Sequence, residues 1–265
     1  MFPPSRIICL TDETVETLYL LGEQHRIVGV SGYAVRPPQV RREKPRVSAF
    51  TSADIAKIIA LEPDLVLSFS DLQAEIVAEL IRRGIAVHAF NQRDIAGIFA
   101  MIRTLGALVD APAKAAAVAA SLERRIAQIR ERTAAPRRKP RIYFEEWDDP
   151  MISGIGWVSE LITIAGGTDI FPELSCCKSA KARIVSTDDV IARDPEIILG
   201  SWCGKRFVPA KVAARSGFSG VSAVRTGSLH EIKSALILQP GPAALTDGLD
   251  QLVHIVEDWI REQVS

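Results

Sequence analysis

Tyr33, Phe69, Trp147 and Trp202 each end or closely follow an apolar run that reads as a buried strand. That is where a doubly wound α/β sheet meets its ligands, beyond the carboxyl ends of its strands. A ring there breaks no bond; it stacks on a large, flat or rigid partner. Aromatic residues are only 6% of the chain, so several at equivalent points form a set rather than filler. A fully buried ring removes about 150–250 Å² from water, worth at most about 4–6 kcal/mol at 25 cal/mol/Å². A few such rings supply micromolar or tighter affinity without any catalytic group. Trp157 joins the set, presented by the Gly154-Ile155-Gly156 turn, which lacks the third glycine and the preceding strand of a dinucleotide fingerprint.

The remaining reactive residue types are sparse. Glu145, Glu146, Asp148 and Asp149 cluster after a strand, a pattern that could serve general acid-base work. With no histidine nearby and no nucleophile elbow, polar ligand contacts from Glu145 and Asp148 are the better reading. Cys203, in Ser201-Trp202-Cys203-Gly204-Lys205, stands just past a strand end and could coordinate a metal centre carried by a ligand. Cys176, Cys177 and Cys203 lack both a C-x-x-C spacing and a neighbouring histidine, so they do not read as a structural zinc site. Cys9 sits in an apolar strand and reads as core. A vicinal cysteine pair is a poor disulfide framework, which favours a reducing compartment.

Composition narrows the classes further. The chain has 265 residues, 48% of them apolar, enough for a full core in one or two domains. Its 32 basic and 32 acidic residues cancel, so no long-range field attracts nucleic acid or anionic lipid. The basic runs Arg41-Arg42-Glu43-Lys44-Pro45-Arg46 and Arg137-Arg138-Lys139 lie beside prolines and read as solvated linkers. No segment approaches the roughly 18 uninterrupted apolar residues of a membrane span. The first residues do not read as a secretory leader. The expected location is therefore the cytoplasm for the chain as it stands, or the periplasm if a leader is removed.

The elements that position these residues repeat. Leu61-Glu62-Pro63-Asp64-Leu65-Val66-Leu67-Ser68-Phe69 and Arg193-Asp194-Pro195-Glu196-Ile197-Ile198-Leu199-Gly200-Ser201-Trp202 carry one pattern 132 positions apart (195 − 63). Each reads as a helix end, an acidic-Pro-acidic turn, a buried strand and a terminal aromatic. Alternating strands and helices with short turns give a parallel α/β sheet on each side of the midpoint. The second programme restarts at Arg141-Ile142-Tyr143-Phe144-Glu145, and Arg183-Ile184-Val185 parallels Arg46-Val47-Ser48. Between them Val118, Leu122, Ile126 and Ile129 make one apolar stripe on one long helix. About 20 helical residues span roughly 30 Å, so this helix acts as a stiff spacer. The expected division is an α/β lobe over 1–110, a linking helix over 111–136 and a second α/β lobe over 137–265. A last helix is expected over 242–263. Duplicated lobes imply a cleft between them, and a cleft implies a ligand.

Arg6-Ile7-Ile8-Cys9-Leu10, Ile27-Val28-Gly29-Val30-Ser31-Gly32-Tyr33, the Pro37-Pro38 turn and Leu61-Glu62-Pro63-Asp64-Leu65-Val66-Leu67 resemble the substrate-binding proteins of vitamin B12 and ferric-siderophore ABC importers. The likeness covers essentially the whole chain and is nearest to the cobalamin-binding branch. It implies two Rossmann-like lobes joined by a rigid helix, with cobalamin, a ferric siderophore or heme bound as cargo, no intrinsic cofactor and no enzymatic activity. Tyr33 matches an aromatic that packs on the corrin, with Phe69 and Trp202 at strand-end aromatic positions. Family members dock on a permease through an acidic residue of each lobe, and Glu75 fits the first. The corresponding second-lobe region carries Lys205, Arg206 and Lys211 instead. Two other readings remain open at this point: a cytoplasmic carrier or sensor without a permease, and an enzyme using Cys203 or the Glu145 to Asp149 cluster on a bound chelate.

Overall fold

The computed structural model describes residues 2–134 and 138–263. Residues 135 and 136 of the expected linking helix, and Arg137 of the second basic run, lie outside them. The chain packs as two compact units, one of residues 1–92 and 96–122, the other of 93–95 and 123–265.

The first unit contains β1 (Ile7–Cys9), α1 (Asp12–Leu20), β2 (Ile27–Ser31), α2 (Val40–Glu43), β3 (Arg46–Ser48), α3 (Ile55–Ala60), β4 (Leu65–Phe69), α4 (Ala74–Arg82) and β5 (Val87–Phe90). Its five strands are parallel in the order β3-β2-β1-β4-β5. Ile7, Ile8, Cys9, Val66 and Leu67 are wholly buried, as expected for a sheet covered on both faces. The chain first winds outward through β2 and β3, then returns to place β4 on the other flank of β1. The switch point where ligands bind such sheets therefore lies between the ends of β1 and β4. Helix α5 (Ile95–Leu108) leads to α6 (Pro112–Thr133), the long helix expected from the apolar stripe. Its 22 residues run through both units, which divide at Leu122 and Glu123.

The second unit contains β6 (Arg141–Asp148), β7 (Met151–Ser153), α7 (Gly156–Ile164), β8 (Thr168–Asp169), α8 (Thr187–Arg193), β9 (Ile197–Gly200), α9 (Pro209–Ala213), α10 (Ser222–Thr226), β10 (Leu229–Glu231), α11 (Ser234–Ile237) and α12 (Leu249–Glu262). Strands β8 and β9 flank β6 in parallel, and β10 lies beyond β9. The order β8-β6-β9-β10 thus repeats β2-β1-β4-β5. One strand departs from the parallel expectation: β7 turns back antiparallel on the far half of β6. The reason is length, because β8 pairs only Arg141 and Ile142 and leaves the rest of an eight-residue strand with an open edge. Arg183-Ile184-Val185, read from the sequence as the counterpart of Arg46-Val47-Ser48, forms no strand like β3 but one bridge from Ile184 to Ile152 on β7. The expected last helix begins with a π-helical stretch over Ala244–Gly248 before α12.

The repeated acidic-Pro-acidic turn works as a clamp. Glu62 and Asp194, at φ 45° and 42°, end their helices in the left-handed region that residues with a Cβ seldom adopt. An arginine at the start of the first strand of each sheet, Arg6 just before β1 and Arg141 opening β6, holds that bend. Arg6 Nε donates to the carbonyls of Leu61 (3.1 Å) and Glu62 (3.0 Å), and Arg141 Nε and Nη2 donate to that of Asp194 (2.9 and 2.7 Å). The acid after the proline completes it: Asp64 accepts from the backbone N–H of Ser5 and Arg6, and Glu196 from that of Arg141.

Candidate functional site

In the first unit, Tyr33 follows β2 and is 49% exposed, one of the few exposed large hydrophobic side chains among the described residues. Gly32 makes this end possible, since a Cβ there would lie 3.2 Å from the Ser48 carbonyl that its N–H contacts at 2.7 Å. Phe69 ends β4 and is 6% exposed. Its N–H donates to Gln73 Oε1 (3.0 Å), while Gln73 Nε2 donates to the carbonyls of Leu10 (3.3 Å) and Phe50 (2.9 Å). One buried amide therefore ties together the ends of β1 and β4 and the loop after β3. Phe50 is a half-buried aromatic just past β3 that sequence reasoning passed over. The strand-end rule that selected Tyr33 and Phe69 would have found it.

Two acids next to the end of β1 carry no signal of burial in the sequence. Asp12 and Glu13 open α1 at the end of the central strand and are 5% and 1% exposed. The cap position itself belongs to Thr11, whose hydroxyl donates to Glu13 Oε1 at 2.6 Å, leaving Glu13 Oε2 covered and without a partner. Burial, with the charges of Glu13 and Glu16 adding to it, pushes Asp12 up to about 8. Burial lifts Glu13 to about 7 against the opposing Thr11 hydrogen bond.

In the second unit, Glu145 is wholly buried and committed. Its Oε1 accepts from Trp202 Nε1 (3.0 Å) and Arg215 Nη2 (2.9 Å), and its Oε2 from Arg215 Nη1 (2.5 Å). Trp202, 3% exposed, meets the edge of Phe207 at 5.0 Å between ring centroids, and Phe207 in turn lies over Gly200. Trp147 is half-buried, its Nε1 donating to the Asp149 carbonyl at 2.9 Å. Lys205 Nζ sits 4.0 Å from the centre of the Trp147 ring and 5.4 Å from that of Trp202, and is ion-paired with Asp148. The structure thus gathers Trp147, Asp148 and Trp202 around one lysine, with Glu145 joined to them through Trp202.

Trp157 lies outside that cluster. It is 3% exposed and donates through Nε1 to the Ile237 carbonyl at 2.8 Å. Cys203 is an exposed thiol, and Glu75 stands exposed on the first turn of α4. Among the described residues no group of three or more His, Cys, Asp or Glu side chains is arranged to hold a metal ion. No described helix is long and apolar enough to cross a membrane. The arrangement offers aromatic surface at the carboxyl end of each sheet rather than a nucleophile with its base.

Comparison with known proteins agrees with that chemistry. The chain is 26% identical over 247 residues to the cobalamin-binding protein of Halobacterium salinarum, covering 90% of this chain and 66% of that protein. It therefore spans just under two thirds of that relative's length. Among solved structures, the periplasmic vitamin B12 binding protein BtuF of Vibrio cholerae superposes with a TM-score of 0.77 at 24% identity, over 97% of this chain and 98% of that one. The periplasmic heme-binding protein RhuT of Roseiflexus superposes with a TM-score of 0.81 at 20% identity, over 95% and 99%. At such identities the two structures speak for the fold alone. A family model described as periplasmic binding protein matches residues 7–236. The chain belongs to the periplasmic binding protein family, whose members bind substrates and are not enzymes.

Proposed function

We propose that this protein binds a metal chelate, a corrinoid first among them, as the substrate-binding component of an ABC importer. The observation that carries this reading is the repeated strand order with an accessible aromatic at the carboxyl end of each sheet, Tyr33 in one unit and Trp147 in the other. Tyr33 is the stacking ring of the first unit, where Phe69 lines the floor at the switch point of its sheet, and Trp147 is the stacking ring of the second. Trp202 lies beside Lys205 and Trp147 at this end of the second sheet, Trp157 is packed away from it against Ile237, and Glu145 fixes Trp202 rather than touching cargo. Asp148 reaches the ligand when Lys205 leaves it, and the Cys203 thiol lies within the same strand-end loop as a ligand for a chelated metal. Glu75 meets the permease. The cobalamin-binding relative supports a corrinoid, while the heme-binding neighbour keeps heme in the test.

Gel filtration of the protein mixed with cobalamin, heme or a ferric siderophore tests this by the absorbance that elutes with it. Co-elution of cobalamin at one equivalent is expected. Elution of every chromophore apart from the protein overturns the reading.

A further inference from the structure

We infer that the loop between β3 and α3 forms a separate subsite for an oxyanion, a phosphate or carboxylate arm carried by the ligand. This rests on the ligand-binding reading above and adds a polar requirement to it. A shallow, open surface groove is lined by Arg46, Val47, Ser48, Ala49, Ser52, Ala53 and Asp54. It adjoins the aromatic platform, because the Arg46 side chain passes within 4.0 Å of the position a Cβ of Gly32 would take, next to Tyr33.

The donors around it lack acceptors. The exposed Arg46 guanidinium makes no hydrogen bond or ion pair among the described residues. Ser48 Oγ is covered and also without a partner, a state that is unfavourable until something pairs with it. Lys57 brings a second cation to the rim, its Nζ donating to the Arg46 carbonyl at 2.6 Å. Against these stands one acid, Asp54, whose Oδ1 is committed to the Lys57 N–H at the start of α3 (2.9 Å). Two cations against one carboxylate leave the rim positive, and a planar guanidinium with adjacent hydroxyls suits the fork of a phosphate or carboxylate. A neutral sugar or amide arm could accept from Arg46 but would leave its charge uncompensated. The ligand selected is thus a rigid apolar body with an anionic arm.

Two titrations test it. Inorganic phosphate, followed through the Arg46 side-chain N–H resonance, gives a saturable shift in the wild-type protein that is lost from the Ser48 and Ser52 amides in Arg46→Ala. Cobalamin, whose nucleotide arm carries a phosphodiester, binds Arg46→Ala about tenfold more weakly than wild type, the loss expected for one charge-assisted hydrogen bond. Cobinamide, a corrin without that phosphate, binds both proteins alike, and Arg46→Lys recovers part of the loss. Absence of a phosphate shift, or an Arg46→Ala variant that keeps full cobalamin affinity or weakens both corrinoids equally, overturns the subsite. A phosphate shift without corrinoid binding leaves the subsite standing and sinks the corrinoid reading instead.

Discussion

Trp202 Nε1 donates to Glu145 Oε1 at 3.0 Å across 57 residues of sequence, and Arg215 closes the other side of the same carboxylate. An acid that is wholly buried is tolerable only because three N–H donors meet it. Glu145→Gln removes the charge that Arg215 needs while that cation stays largely enclosed, its side chain 17% exposed. The expected cost is about 3 kcal/mol, read as a lower urea midpoint, as Arg215 is left without its counter-charge while the amide oxygen can still accept from Trp202. An unchanged midpoint would show that the pair does not hold this end of the sheet.

Asp12 and Glu13 make stability fall as pH rises. Asp12 is held near 8 in the folded chain, chiefly by burial, against an ordinary aspartate value of 3.8. The folded state therefore binds more protons than the unfolded one between those values, and stability declines across that window. Asp12→Asn removes the penalty: it gains on the order of 1 kcal/mol or more at pH 8 and little at pH 4. Melting curves at the two pH values check this, and an equal effect at both would refute it.

Asp64 has the opposite sign. Burial pushes its carboxyl up, but the hydrogen bonds from Ser5 and Arg6 outweigh that and hold it below the ordinary aspartate range. Its stabilising contribution is present above the unfolded value and is lost as pH falls through the depressed folded one. Asp64→Ala costs about 1 kcal/mol at pH 7, because it gives up exposed hydrogen bonds that water replaces and loosens the clamp. Ligand affinity is expected to stay within twofold, so a large affinity loss would mean the turn is more than a clamp.

Gly200 gives a steric test. A Cβ at this position would lie 1.8 Å from Phe207 Cδ2, so Gly200→Ala must drive the Phe207 ring off the strand and off Trp202. Destabilisation of about 2–3 kcal/mol is expected from overpacking of this kind. Near-ultraviolet circular dichroism of Trp202 should change with it; retention of both the spectrum and the midpoint would contradict the packing described.

The repeat was legible because local chemistry writes it: helix end, left-handed acid, proline and apolar strand are all neighbours in sequence. Strand order follows from that alternation, and the long helix from a single stripe through Ile126 and Ile129. What the sequence left open depends on partners far along the chain. Nothing near Trp202 announces that Phe207 and Glu145 enclose it, so the strand-end rule marks its position without telling whether its face is accessible. Glu145 reads as a ligand contact until Arg215, 70 residues away, is seen to occupy it. The short β8 could not be foreseen either, and with it went the pairing that gives β7 its place. Asp12 and Glu13 look like ordinary helix-start acids until the sheet closes around them.

The central claim is chelate binding at the strand ends, and cobalamin titration followed by tryptophan quenching tests it most directly. The account predicts saturable one-to-one quenching with a dissociation constant at or below about 10 μM, weakened at least about tenfold by Trp147→Ala or Tyr33→Ala. No saturable change with cobalamin, heme or a ferric siderophore at tens of micromolar would contradict it.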